Sequence, residues 1–453
     1  MADIAPFRAV RFNPAKIERL EEVVSPPYDV LGPAAQAALE DRNPYNMIHL
    51  DLSKSAATKI SDQRYEAARD TFASWQEENV LIRDAVPAIY LYAIDYTLPN
   101  GKTLRRKGFS ALVGLHEFSE GVVKPHEKTF RSVTDDRLRL IDTCQAQFSQ
   151  IFSLYGDEKG EVMAALEQAA PAEPIHQVRD QDGCLHTIWA VTQGDVIARV
   201  RDFFAGQPVY IADGHHRYTT SLRLRETMAE RQGKPVAKDS PYNQIMMYLC
   251  PMEDEGLSVL PTHRLVRFPG GIDAPELVER LRDSFAVAEI KAGSREEQVA
   301  EVMSRMGDEQ GEETCLGMYV PGSDRCFLLG LKGGSLEKEL GEKEPAVLRD
   351  LDVVVLSDLV IAKLLGLSHK RCEEEDLVSY FSDPDEILDT AVKEEAAELG
   401  FSPIIFFMNH TLVSQVKEVA DENLIMPHKS TYFYPKILTG LLMQKIVADE
   451  VVK

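Results

Sequence analysis

Cysteine is scarce in this chain and is not arranged for chemistry. The 453 residues contain six cysteines, with no C-x-x-C pair and no cluster of cysteines and histidines at the spacing of a zinc site. Disulfide frameworks and structural zinc sites are therefore not expected. Isolated thiols of this kind are typical of a reducing cytoplasm, where they stay reduced.

Long hydrophobic runs are also missing. The longest apolar-rich stretch, residues 351–367, is interrupted by two aspartates, a serine and a lysine. It falls short of the roughly 20 apolar residues that span a bilayer. The first residues, "MADIAPFRAVRF", have no apolar core of signal-peptide length. The sequence predicts a cytoplasmic protein without a membrane partner.

Positive charge is in deficit. The chain has 50 Lys and Arg residues against 73 Asp and Glu residues, which gives a net charge of −23. Phosphate backbones and anionic lipids repel an acidic surface, so nucleic acid is not an expected partner. A small anionic ligand remains compatible with this composition, because a local basic pocket can lie within an acidic molecule.

Several common catalytic motifs are missing as well. There is no G-x-x-x-x-G-K-[ST] loop, no G-x-G-x-x-G opening a βαβ unit, no H-E-x-x-H and no G-x-S-x-G. The phosphate, dinucleotide, zinc and serine-nucleophile sites that these motifs build are therefore not expected.

Turn residues and periodicity predict an α+β fold. Asn100-Gly101 and Asp182-Gly183 each separate alternating apolar segments, which is the pattern of a β-hairpin. The stretch "SDQRYEAARDTFASWQEENVLI" has apolar residues at helical spacing, with Ser61 as the expected N-cap. Hairpins and helices mix without a repeating βαβ unit. We therefore expect a mixed sheet with added antiparallel hairpins.

The pattern divides the chain into three expected regions. Residues 1–269 contain the hairpins and are predicted to form the catalytic region with an N-terminal extension. Residues 270–344 are predicted to form a small α+β module ending in an acid-rich linker. Residues 345–453 start with a predicted amphipathic helix over 348–367. They continue with helix and strand patterns as a C-terminal α/β segment that completes the site.

The stretch "PVYIADGHHRYTTSLRLRE" places dense polar chemistry between a strand and a helix. A helix start carries unpaired N–H groups and a partial positive charge, so it binds phosphate readily. Gly214 allows close approach of the backbone, and Arg217 can grip phosphate oxygens. Asp213 could accept from a substrate hydroxyl or hold Mg²⁺. The alternative is structural: Asp213 caps the helix, and the imidazoles of His215 and His216 fill polar gaps.

Five stretches, in chain order, resemble a bacterial and archaeal family catalogued as domain of unknown function 1015. They are "VVSPPYDVL", "KPHEKT", "IADGHHRY", "LPTHRLV" and "MPHKSTYFYPKILTGL". The matches run from near the N-terminus almost to the C-terminus.

The D-G-H-H-R run is also similar to the phosphate-binding turn of the ParB/sulfiredoxin superfamily, in which archaeal free-serine kinases carry the same five letters. This resemblance implies a ParB/sulfiredoxin-like core. It also implies that Gly214, His215, His216 and Arg217 contact phosphates, and that Asp213 is catalytic or faces a metal. We also count His216 among the catalytic candidates.

The stretch "KPHEKTF" supplies the expected second half of the site. Glu127 is surrounded by Lys124, His126, Lys128 and Arg131, and this cationic neighbourhood would keep its carboxylate ionised, ready to accept a proton or to bind Mg²⁺. Lys124 and His126 are candidates for nucleotide contacts. A solvated charge cluster is the alternative.

Three further stretches have two readings each. In "SPPYDV", Tyr28 and Asp29 either face a ligand or belong to a rigid turn. Arg264, after His263 in "PTHRL", is either a second phosphate contact or half of a surface pair. Lys429 lies in "MPHKSTYFYPK", a polar aromatic loop that either lines a site or anchors the tail.

These observations give one principal hypothesis and one alternative. The first is a nucleotide-dependent phosphotransferase that uses ATP or ADP with Mg²⁺ and acts on a small hydroxyl metabolite. Serine and phosphoserine are the leading pair, and the direction of transfer is open. The alternative is a nucleotide-binding regulatory switch of the ParB type without a DNA-binding domain, since no basic helix-turn-helix is evident. Either protein could form a homo-oligomer.

Overall fold

The structure is a computed structural model that describes residues 2–52, 63–291, 293–308, 314–341, 345–349, 351–397 and 399–452. Its contacts divide the chain into two compact units. The first unit comprises residues 1–258 and 435–453, and the second comprises residues 259–434. The expected N-cap, Ser61, lies outside the described residues.

The first unit is built around a large sheet with helices. Its strands are β1 (Ile4–Ala5), β2 (Val10–Phe12), β3 (Leu81–Arg83), β4 (Ile89–Thr97), β5 (Thr103–Gly114), β6 (Val123–Lys124), β7 (Ala146–Gln147), β8 (Ile151–Tyr155), β9 (His176–Arg179), β10 (Leu185–Val191), β11 (Val209–Asp213) and β12 (Gln244–Pro251). Its helices are α1 (Pro33–Arg42), α2 (Ile48–Asp51), α3 (Gln63–Glu77), α4 (Arg131–Cys144), α5 (Glu161–Ala169), α6 (Gly194–Phe204) and α7 (His215–Gln232).

The large sheet is mixed. Its strand order is β6-β11-β8-β12-β5-β4-β10-β9, with β1 added on β5. The pairs β6–β11 and β8–β12 are parallel, while β4–β5 and β9–β10 are antiparallel hairpins. The turns of these hairpins contain Gly101 and Gly183, each with φ of 82°, a conformation that glycine adopts without strain. The predicted mixed α+β fold with added hairpins is confirmed.

The two largest apolar clusters among the described residues of the first unit pack its helices against its strands. One joins the central strands to α5, α6 and α7, with Phe109, Tyr155 and Phe204 among its fully buried side chains. The other contains the predicted apolar face of α3, which consists of Tyr65, Ala68, Phe72 and Trp75. Burial of this stripe stabilises α3 where helix propensity alone would not.

The second unit contains a six-stranded antiparallel sheet and a separate two-stranded sheet. The strands of the unit are β13 (Ser258–Leu260, which begins at the boundary), β14 (His263–Pro269), β15 (Phe285–Ile290), β16 (Cys315–Val320), β17 (Arg325–Leu331), β18 (Val378–Phe381), β19 (Phe401–Phe407) and β20 (Tyr432–Tyr434), of which the first and the last form the two-stranded sheet. Its helices are α8 (Ala274–Leu281), α9 (Arg295–Asp308), α10 (Ser335–Leu340), α11 (Ala346–Arg349), α12 (Asp352–Val354), α13 (His369–Glu374), α14 (Pro384–Ala396) and α15 (Val413–Asp421). The chain then returns to the first unit, where β21 (Gln444–Lys445) pairs with β7.

The boundaries of these units differ from the predicted limits at 269/270 and 344/345. The six-stranded sheet has the order β15-β17-β16-β19-β14-β18, so strands from all three predicted regions pair within it. In particular, β14 pairs with β18 and β19, both of which follow residue 345. The assignment of distinct roles to residues 1–269, 270–344 and 345–453 stays a prediction.

The single amphipathic helix predicted over 348–367 is wrong. Helix α11 ends at Arg349, α12 starts at Asp352, and a π-helix follows over Val355–Leu364. Five of its residues are buried: Val355, Leu356, Leu359, Val360 and Ile361. These buried residues do not all lie along one stripe of the helix, which explains why an amphipathic pattern does not describe the segment.

Within the described ranges, no helix combines the length and the hydropathy that a membrane span requires.

Two glycines on adjacent strands provide a test of packing in the second unit. A Cβ on Gly317 in β16 would lie 3.0 Å from both Met306 Sδ and Phe407 Cβ, whereas a Cβ on Gly330 in β17 would meet nothing within 4 Å. We expect Gly317→Ala to lower the free energy of unfolding by about 1–3 kcal/mol through overpacking. Gly330→Ala should change it by less than about 0.5 kcal/mol. Calorimetric unfolding measures both, and equal effects would contradict this packing.

Candidate functional site

The D-G-H-H-R run forms a corner where a strand ends and a long helix begins. Strand β11 ends at Asp213, Gly214 is the N-cap with φ of 104°, and α7 starts at His215. Strand β6 runs parallel to β11, with Lys124 opposite Tyr210. Because parallel strands leave a sheet at the same edge, the residues after Lys124 lie beside those after Asp213. The sheet therefore brings the two candidate segments together.

Asp213 is the centre of an ion cluster. Its Oδ1 accepts from Lys436 Nζ at 3.0 Å, and its Oδ2 accepts from the Arg217 guanidinium at 2.6 Å. Burial alone would raise the pKa of Asp213, but Lys436 and Arg217 outweigh it and hold that pKa well below its usual range. One half of the structural alternative, in which Asp213 caps the helix, is wrong, whereas the other half, in which the imidazoles fill polar gaps, agrees with the backbone N–H groups that His215 and His216 accept from. Gly214 is the N-cap, and no side chain caps this helix in the described structure.

Arg217 is buried and turned inward. It is 8% exposed, and besides Asp213 it donates to the backbone oxygen of Gln150. Its guanidinium covers Gly214, where a Cβ would lie 3.0 Å from three of its atoms. A glycine is therefore required here for the positive φ and for the space that Arg217 occupies.

His215 and His126 form a buried, neutral pair. The backbone N–H of His126 donates to His215 Nε2 at 3.2 Å, and the two rings pack edge to face with centroids 4.6 Å apart. Burial lowers the pKa of His126 to about 4 and holds the pKa of His215 well below its usual range. A neutral imidazole whose Nε2 accepts carries its proton on Nδ1. In His215 this Nδ1 lies 3.8 Å from Glu127 Oε2.

His216, like His215, accepts a hydrogen bond from a backbone N–H at its Nε2. The backbone N–H of Phe130 donates to His216 Nε2 at 3.0 Å, and the Phe130 ring stacks on the imidazole with centroids 5.8 Å apart. In its neutral form His216 therefore also carries the proton on Nδ1. This arrangement suits a hydrogen-bond donor to an anion. It does not suit a general base, since the lone pair on Nε2 is already engaged.

The predicted metal ligands do not fit a protein-held Mg²⁺ ion. Both carboxylate oxygens of Asp213 accept from cations, and Glu127 is the other predicted ligand. Among the described residues, no group of three or more His, Cys, Asp or Glu side chains is placed to hold a metal. A Mg²⁺ ion would need most of its ligands from substrate phosphates and water.

Arg264 and Lys429 belong to the second unit. Arg264 donates to the backbone oxygen of Lys429 at 3.0 Å, and its guanidinium lies 5.0 Å from the centre of the Tyr380 ring. Burial lowers the pKa of Arg264 to about 10. The surface-pair reading is wrong, because His263 and Arg264 are both fully buried. A phosphate contact by Arg264 or Lys429 stays a prediction.

A cavity lined by Arg217 was not predicted. Its charged lining side chains are Asp51, Arg137 and Arg217. Arg137 donates to Asp51 Oδ1 at 2.9 Å, and its guanidinium lies 4.3 Å from the centre of the Tyr28 ring. The SPPYDV turn thus lies near these charges. One local signal was available in the sequence: Arg217, Thr220 and Ser221 share a face of α7 at helical spacing.

These features define an α+β protein. At one edge of its mixed sheet, a histidine-rich corner lies beside a cavity with charged lining side chains. A family described as "Protein of unknown function (DUF1015)" matches residues 4–354. The chain belongs to this family, as the five stretches indicated. No curated protein is significantly similar to the sequence.

Some solved structures resemble the chain at low identity. A free serine kinase in complex with AMP has a TM-score of 0.34 and 13% identity, with 74% of this chain and 92% of that chain covered. A conserved hypothetical protein from Pyrococcus furiosus has a TM-score of 0.31 and 13% identity, with coverage of 72% and 94%. SbnI with a C-terminal truncation, from Staphylococcus aureus, has a TM-score of 0.33 and 11% identity, with coverage of 73% and 85%. Likeness at this level assigns no activity.

The histidine geometry predicts a definite tautomer. Nitrogen–proton correlation NMR at pH 7 should show His215 and His216 protonated on Nδ1, with His215→Gln and His216→Gln variants assigning the signals. Because the pKa of His215 lies well below its usual range, its ring should stay neutral as the pH falls from 7 to 5. A proton on Nε2 of either ring, or protonation of His215 near pH 6.5, would contradict the arrangement.

Proposed function

We propose that this protein is a nucleotide-dependent phosphotransferase that acts on a small hydroxyl metabolite, with serine and phosphoserine as the leading pair. One observation carries the proposal. Glu127 and the neutral His215 lie at the start of an 18-residue helix that has no side-chain cap, together with His216, whose Nε2 accepts from a backbone N–H. The resemblance of the D-G-H-H-R run to that of archaeal free-serine kinases supports the same reading.

The corner has the charge to seat nucleotide phosphates. The first turn of α7 offers a partial positive charge from its backbone N–H groups. The Nδ1–H of His216 adds a neutral donor, and Lys124 adds a cation near the ring of Tyr210, at 5.5 Å from its centre. Lys436 and Arg217 neutralise Asp213, so this buried carboxylate does not repel an incoming phosphate as a lone charge would.

Glu127 is the proposed general base. In the forward direction, the substrate hydroxyl oxygen forms a bond to the γ-phosphorus of ATP, the bond from that phosphorus to the bridging oxygen breaks, and ADP leaves. The hydroxyl proton passes to the Glu127 carboxylate. His215 Nδ1 lies 3.8 Å from that carboxylate, and the low pKa of His215 keeps its ring from competing for the proton. In the reverse direction phosphoserine donates the group to ADP.

The base assignment predicts the effect of one substitution. Glu127→Gln keeps the shape of the side chain and an acceptor oxygen near His215 Nδ1–H, but its amide cannot take the proton of the substrate hydroxyl. We expect turnover to fall at least ~100-fold, the usual scale for loss of a general base. Affinity for ADP should change less than about threefold, because the corner remains. Phosphorus NMR measures transfer from ATP to a panel of hydroxyl metabolites with Mg²⁺, and calorimetry measures ADP binding.

Glu158→Gln is the matched control, since Glu158 is an exposed glutamate of the same unit. Unchanged turnover in Glu127→Gln would remove this residue from the mechanism. ADP binding by the wild-type protein without transfer to any metabolite or to water would favour the regulatory switch instead. Absence of nucleotide binding would overturn both functions.

A companion substitution tests the phosphate seat. His216→Phe removes the Nδ1–H donor and keeps an aromatic ring to stack on Phe130. We expect ADP affinity to fall at least about tenfold, as expected for loss of a hydrogen bond to a charged group. Calorimetric titration checks this. Unchanged affinity would show that phosphates bind elsewhere.

A further inference from the structure

The cavity beside Arg217 has the composition of a small-molecule site. It lies entirely within the first unit. Ligand pockets combine apolar walls with a few converging polar groups. This cavity has apolar walls from Leu140, Ile141, Ala146, Phe148 and Ile245, and its polar lining residues are Gln147, Ser149 and five residues of α2, α4 and α7.

Four polar atoms of its lining residues are buried without a hydrogen-bond partner in the described structure. They are Asp51 Oδ2, Arg217 Nε, Thr220 Oγ1 and Ser221 Oγ. Their residues are 5%, 8%, 3% and 2% exposed. Buried polar groups are nearly always hydrogen-bonded, because an unpaired group loses its contacts with water and gains none. Four of them around one cavity indicate a polar ligand.

The chemistry of these four atoms defines the ligand. The Nε–H of Arg217 and the hydroxyls of Thr220 and Ser221 donate, so together they match an anionic group. Asp51 Oδ2 accepts, and its partner oxygen Oδ1 is held by Arg137 at 2.9 Å, so it needs a donor. Burial raises the pKa of Asp51, which Arg137 opposes, and a cationic donor would relieve the unpaired oxygen.

We propose that the cavity binds a small amino acid or hydroxy acid. Its carboxylate contacts Arg217, Thr220 and Ser221, and its ammonium or hydroxyl group donates to Asp51. Its role as the phosphoryl acceptor rests on the proposed function. Its binding to the cavity does not depend on that function. Arg217 joins the two sites, because its terminal nitrogen binds Asp213 of the corner while the residue also lines the cavity and its Nε has no partner in the described structure.

The test is calorimetric titration of the full chain without nucleotide. L-serine, L-threonine and D-glycerate carry both groups, whereas ethanolamine lacks the carboxylate, acetate lacks the donor, and inorganic phosphate replaces the carboxylate by another anion. We expect at least one of the first three to bind, and the last three to bind at least about tenfold more weakly. The variants Thr220→Val and Asp51→Asn should each weaken binding at least about tenfold.

Thr219→Val is the matched control. Thr219 is the neighbouring residue of α7 with an equally unpaired hydroxyl, but it does not line the cavity. It should leave ligand affinity unchanged. Should Asp51→Asn unfold the protein by disturbing Arg137, Thr220→Val with Ser221→Ala still decides the matter, because these hydroxyls support no other contact.

The outcomes separate this inference from the proposed function. No binding of the three acids, or equal binding by the Thr220→Val and Thr219→Val variants, overturns the cavity assignment even if phosphoryl transfer is observed. Tighter binding of inorganic phosphate than of the acids also overturns it and makes the cavity a phosphate site. Binding that depends on Thr220, without any phosphoryl transfer, supports the cavity assignment and overturns the proposed reaction.

Discussion

The ion cluster of the buried Arg217 with the partly exposed Asp213 and Lys436 is the constraint on which the candidate site depends. A carboxylate removed from water is stable only when cations and hydrogen bonds replace its hydration. Asp213 obtains both from Arg217, one helical turn later, and from Lys436, 223 positions further along the chain. The cluster ties the end of β11, the first turn of α7 and the returning C-terminal segment into one corner. Lys436, in the C-terminal segment, is therefore part of the candidate site.

The histidines contribute as oriented, neutral groups. Backbone N–H groups of residues 126 and 130 each engage an Nε2 on α7, so the loop after β6 sets the orientation of both rings. The parallel pairing of β6 with β11 makes this possible. Glu127 lies in the middle of that loop, and the proposed reaction therefore assigns its acid–base chemistry to this carboxylate. The hydrogen bonds that orient the two rings also occupy the lone pairs on Nε2, so neither ring can act as a base through that atom.

One guanidinium separates two environments with different chemistry. On the side of Asp213 the groups are charged and suit an anion at a helix start, while on the side of Thr220 and Ser221 a largely apolar cavity presents a few unpaired polar atoms. Phosphoryl transfer requires a donor and an acceptor held next to each other. Arg217 contacts the first environment and lines the second, so its position accounts for how a nucleotide and a small acid would meet.

Local patterns in the sequence determined the hairpins at Gly101 and Gly183, the apolar face of α3 and the strand–turn–helix at Asp213, because turn chemistry and periodicity act over a few residues. Family membership was likewise evident from short stretches. Only the tertiary structure decided that Glu127 meets His215, that Lys436 neutralises Asp213, that Asp51 and Arg137 line a cavity, and that Arg264 and Lys429 belong to the other unit. These relations depend on which strands pair and which faces pack, and such long-range choices leave no periodic trace in the chain.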